Sequence, residues 1–242
     1  MNDYQNKFEE VWKIFRTEMF YEFPSAGQSI PTLCKIHDAF GGLEKSHHNC
    51  LGCNFAEMTY SIRFVLRRYE KLDETDISTF YSDYLLWLYL FIERMEMVFE
   101  IIALPESYRM RHFEIFRQIR RWANFIKHPG YFILVHHPQY FLDGDKNFDP
   151  KKFQVVIDTK FVYDNFGRDQ DSKSLRRELA NKKDVAVLFP EPILLTKEFC
   201  AKAKLFMSII CENKVYREIL GEQSTYENYF EAKDTNIGKS PV

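Results

Sequence analysis

Glycine and proline are scarce in this chain, nine of each in 242 residues, which excludes a collagen-like architecture and a largely disordered one. Long hydrophobic runs are missing too. The longest, Tyr84 to Ile92, is about half of the ~20 residues that a bilayer-spanning helix needs, and Glu93 and Arg94 follow it at once. The amino end, Met1-Asn2-Asp3-Tyr4-Gln5, lacks the basic and apolar regions of a secretory signal. The expectation is therefore a soluble, cytoplasmic protein with no membrane partner. Net charge is only −2, so no global field draws the chain to nucleic acid, and any such partner must be held by a local patch. No phosphate-loop or dinucleotide fingerprint occurs, so no nucleotide cofactor is expected. Asp143-Gly144-Asp145 opens like a calcium loop, but Phe148 stands where the loop requires glycine and Gln154 where it requires glutamate.

What the chain has in quantity is core material: 45% apolar residues, with 23 Phe and 14 Tyr, enough to bury a sizeable interior. Phe8, Val11, Trp12, Phe15 and Met19 recur at helical spacing, as do Met58, Ile62, Val65, Leu66 and Tyr69. A further helix over 77–103 is apolar nearly all round, and Pro105 ends it. The next, over 106–127, stops at Pro129-Gly130, and the short link predicts that these two pack as antiparallel neighbours. From Tyr131 the period changes, and 131–135, 153–162 and 185–189 read as short strands, with a small helix over 172–180. Thr196 reads as the N-cap of a last helix to Leu220. The expected fold is mainly α, a bundle of four to five helices with a small β-sheet inserted before the last helix. Residues 1–130 and 196–221 would form the bundle, 131–195 the β-rich insertion, and 222–242 a mobile tail.

The helix before Pro129 carries the chemistry. At about 100° per residue, Trp122, Ile115, Ile126, Ile119, Ala123 and Phe116 fall in one arc of about 120°. Glu114, Arg117, Arg121, Asn124 and His128 fall in another of about 80°, on the opposite side. Guanidiniums, an amide and an imidazole on one stripe suit phosphodiester cleavage. Metal-free scission of RNA needs a group to take the proton of the 2′-hydroxyl, one to protonate the leaving 5′-oxygen, and cations for the phosphorane charge. A bland reading of the same stripe is an ion-paired surface, with Arg117 and Arg121 meeting Glu93, Glu96 and Glu100 of the preceding helix.

Arg121-Trp122-Ala123-Asn124-Phe125-Ile126-Lys127-His128 resembles the Arg-x(4–6)-His signature of HEPN domains. Trp122 stands where that family usually has a small polar residue; taking Arg120 as the motif arginine restores a polar successor and lengthens the spacing by one. The resemblance implies a helical bundle, often a homodimer, that cuts RNA without metal in toxin and phage-defence settings. His128 would be the acid or base, Arg121 would stabilise the phosphorane, and Asn124 would orient it. Arg117, Lys127 and Arg120 would bind flanking phosphates. The competing class is a non-catalytic, zinc-stabilised interaction protein.

A second constellation lies upstream, in the segment 31–54. Cys34 and His37, then twelve residues, then Cys50 and Cys53, form two C-x2-C/H pairs at a separation typical of structural zinc sites. Each pair is expected from a tight turn, with Gly41-Gly42 letting the backbone fold back. Unliganded thiols, or a redox role for Cys50 and Cys53, are the alternatives. Cys200 and Cys211 read as ordinary buried thiols of the last helix.

Overall fold

The computed structural model describes residues 3–22, 25–27, 33–40, 50–69, 77–127, 135–136, 156–158, 186–188 and 192–222. The side chains of 3–5, 50–53, 77–78, 125–127 and the strand residues lie outside the described set. The described residues are mainly helical. Their helices are α1 (Asp3–Met19), α2 (Lys35–Ala39), α3 (Cys50–Arg68), α4 (Ile77–Ile101), α5 (Glu106–His112), α6 (Glu114–Lys127), α7 (Pro192–Glu212) and α8 (Lys214–Gly221). No described helix is long and apolar enough to cross a membrane.

Two compact units share these helices. One comprises Met1–Tyr60, Leu90–Glu114 and Phe199–Val242, and the other Ser61–Tyr89 and Ile115–Glu198. The first has an aromatic core. Phe91 meets Phe55 at 5.1 Å, Phe199 at 5.4 Å and Phe15 at 5.7 Å between ring centroids. Phe206 joins Phe55 to Phe99 at 5.5 and 5.6 Å, mostly in edge-on or tilted geometries that suit ring quadrupoles. The periodic positions of α1, Phe8, Val11, Trp12, Phe15 and Met19, are all buried. In the second unit Phe80 lies between Tyr69 and Tyr84, at 5.2 and 5.8 Å. There the Tyr84 hydroxyl sits 3.0 Å from the Pro192 carbonyl and 2.8 Å from Thr196 Oγ1, which itself donates to Pro192.

Eight helices are present among the described residues rather than four or five, because two expected helices are broken and a short one is added. The stretch 106–127 breaks at Phe113, which has φ −121° and ψ 37°. Continuing the helix would carry Phe113 to the edge of the polar stripe; the break buries it instead, 4.9 Å from Phe99. The last helix begins four residues before Thr196, at Pro192, where a missing N–H costs nothing in the first turn. Thr196 is thus interior, not a cap. That helix stops at Asn213, whose side chain accepts from Tyr216 N and starts α8.

The region 131–195 is described only as β1 (Val135–His136), β2 (Val156–Asp158) and β3 (Ala186–Leu188), in antiparallel order β1-β2-β3, up to the start of α7. Each described segment has two or three residues, and the other residues of the stretches expected as strands, 131–135, 153–162 and 185–189, lie outside the described set. The expected helix at 172–180 and the tail from 223 lie outside the described residues.

The α4–α5 connection shows how the chain turns with so little glycine. Leu104 N–H reaches Phe99 O at 2.8 Å and Ala103 N–H reaches Glu100 O at 3.1 Å, the paired bonds of a Schellman C-cap. The left-handed position falls to Ala103, with φ 53°. Arg109 of α5 then pairs with Glu96 of α4 at 2.7 Å, so α5 folds back along the end of α4.

Candidate functional site

Helix α6 starts with Glu114, whose carboxylate complements the positive end of the helix dipole. Its apolar arc is the buried one: Ile115, Phe116, Ile119, Trp122 and Ala123 are all buried. Arg117 is exposed, while Arg120, Arg121 and Asn124 are half-buried. Segregation on the helix is thus physical, because each turn places one or two side chains in the core and the intervening positions outside it. Arg117, Arg120, Arg121 and Asn124 are each already engaged in an interaction, so none is a bare group waiting for ligand. Glu96, one carboxylate expected opposite the arginines, is held by Arg109.

Lys127 is the last residue of α6 by backbone, and its side chain lies outside the described set. His128 lies just beyond the described residues. The structure therefore brings Arg117, Arg121 and Asn124 onto one stripe of one helix, with Arg120 on its flank, and leaves the imidazole to the sequence.

The zinc candidates divide in the same way. Cys34 precedes α2 and is fully buried, and His37 within α2 is 3% exposed. Cys50 and Cys53 occupy the first turn of α3, not a tight turn as expected from the knuckle pattern, and their side chains are outside the described set. No group of three or more metal-ligating side chains comes together among the described residues.

No family model, curated protein or solved structure matches this chain. The functional reading therefore rests on residues and chemistry.

One cluster was not legible in the sequence. The Tyr21 hydroxyl donates to Asp38 Oδ2, and Asp38 lies 3.7 Å from Arg217 of α8. Lys35 Nζ donates to Thr17 O at 2.8 Å and stands 5.7 Å from the centre of the Tyr21 ring. Burial first, then the hydrogen bond to Asp38 and its charge, pushes the Tyr21 phenol up to about 12. Burial pushes the Cys211 thiol up to about 11, with Arg217 and Lys35 opposing. Burial alone raises Cys200. At neutral pH both cysteines of α7 are thiols rather than reactive thiolates. The partners come from positions 21, 35, 38, 211 and 217, and nothing in their local spacing announces the meeting.

Proposed function

We propose that the chain is an HEPN-like, metal-independent endoribonuclease that works as a homodimer, in a toxin or phage-defence setting. The observation that carries this reading is the two-sided α6: a buried apolar face, with Arg117, Arg121 and Asn124 off it and His128 directly after the helix end. In the proposed reaction His128 takes or gives the proton in flight. The 2′-oxygen bonds to phosphorus, the bond to the 5′-oxygen breaks, and the leaving oxygen is protonated. Arg121 neutralises the phosphorane, Asn124 orients it, and Arg117, Lys127 and Arg120 hold flanking phosphates. A β insertion over 131–195 and a structural zinc held by Cys34, His37, Cys50 and Cys53 belong to the same proposal. The zinc would tie together the two ends of the glycine-bearing segment between the ligand pairs.

The second reading is a non-catalytic, zinc-stabilised interaction protein. It is favoured by the engagement of Arg117, Arg120, Arg121 and Asn124 within the fold. Incubation with total RNA, without added divalent metal, separates the two. The nuclease reading expects His128→Ala and Arg121→Ala each to slow cleavage by roughly 10²–10⁴-fold at unchanged melting temperature. Wild-type inactivity, or cleavage that survives both substitutions, overturns it.

A further inference from the structure

Helix α5 is unusual in burying none of its seven residues. So short a helix is unstable alone. It is held instead at its ends and by one flank: Leu104 before it and Phe113 after it are buried, and Arg109 is tied to Glu96 at 2.7 Å. At about 100° per residue, Tyr108, Arg111 and His112 share an arc of about 100° beside the Arg109 flank. Glu106, the one carboxylate of the helix, lies about 160° from Tyr108. Within the arc, the half-buried Tyr108 and His112 lie against each other, with ring centroids 4.2 Å apart and planes tilted by 33°, and Arg111 is exposed.

We propose that this face, two apposed rings beside an exposed guanidinium, with the one carboxylate of the helix on its far side, is a docking platform for one nucleotide of a single-stranded nucleic acid. The base stacks on the ring pair and Arg111 meets the adjacent phosphate. Stacking needs an unpaired base, since a duplex keeps its π-faces inside, so the platform selects single strands. The charge of the exposed Arg111 fits an anionic strand. The assignment rests on the nuclease reading for its biological meaning, because single-stranded RNA is the substrate of that reading. Its chemistry is nonetheless independent of His128.

The same i, i+4 ring pair would also serve merely to stiffen a short surface helix. The test separates these uses. Fluorescein-labelled dT10, which has no 2′-hydroxyl and cannot be cut by the proposed reaction, is titrated by anisotropy with the full chain, well below the melting temperature. Tyr108→Ala should weaken binding roughly five- to a hundred-fold, while Tyr108→Phe, which keeps the ring, stays within about twofold. Arg111→Ala should reduce the slope of log affinity against log salt by about one. A ten-base-pair duplex should bind more weakly than dT10 and be indifferent to Tyr108→Ala. Wild-type binding of dT10 that survives Tyr108→Ala, no wild-type binding, or equal preference for duplex overturns the platform. RNA cleavage lost with His128→Ala but dT10 binding unchanged by Tyr108→Ala would sink the platform and leave the nuclease. Platform-dependent binding without any RNA cleavage would do the reverse.

Discussion

At Tyr21 the chemistry of a single residue is set by partners far away in sequence. The residue as a whole is 56% exposed, yet its hydroxyl is held by Asp38, and burial of that end and the acceptor together keep the phenol protonated to about 12. The sign of the resulting pH effect follows from linkage. An unfolded tyrosine releases its proton near 10, so between about 10 and 12 the folded state binds more protons and stability falls as pH rises. Below that window the contribution is fully present. Phenolate absorbance, taken as the difference between wild type and Tyr21→Phe, should show a midpoint near 12 that drops in Asp38→Asn. A midpoint near 10 in the wild type would contradict the hydrogen bond.

Among the elements, the end of α4 is where the local rule and the tertiary demand conflict. A left-handed residue in a Schellman cap is usually glycine, because a Cβ there crowds the following carbonyl. This chain places Ala103 in that position, exposed, with φ 53°. The cap persists because Leu104 is buried next to it and the two capping bonds satisfy Phe99 and Glu100 carbonyls. Ala103→Gly should therefore stabilise the protein by about 0.5–1 kcal/mol, once the extra freedom of glycine in the unfolded chain is subtracted. In a thermal melt that is an upward shift of about 1–4 °C. A downward shift would mean that the alanine methyl makes packing contacts outweighing the backbone strain. The same region shows what helical periodicity hides. Nothing in the pattern of 106–127 marks Phe113 as a break, since each side of it is good helix; the break follows from burying a ring that a continuous helix would have left among arginines.

For the whole molecule the open chemical question is whether the segment around α2 is ordered by packing or by metal. Packing already contributes. Tyr21 N–H bonds to Leu33 O at 3.0 Å, Phe20 bridges Cys34, and Arg217 reaches Asp38. On the proposed zinc site, metal analysis of the purified protein should find about one zinc per chain, and a strong chelator should lower the melting temperature and release thiols. Stoichiometric thiols with no zinc would refute the site and leave Cys34 as a buried core thiol. Cys200 should stay unreactive toward thiol reagents in the native state in either case, because burial disfavours its thiolate.

The buried faces of α1 and α6 follow from apolar spacing alone, as Trp12, Phe15, Ile119 and Trp122 show, because a 3.6-residue period leaves only one side of a helix to meet a core. The Arg117, Arg121 and Asn124 stripe was likewise determined by the sequence, as the complement of that face. Tertiary structure alone decided the breaks at Phe113 and Asn213, the start at Pro192, the exposure of Phe64 at 69%, and the Tyr21–Asp38–Arg217 cluster. Those outcomes depend on which ring or charge a distant segment presents. Local propensities differ by a few tenths of a kcal/mol per residue, whereas burying a phenylalanine is worth about 1.5–3 kcal/mol, so the distant partner prevails.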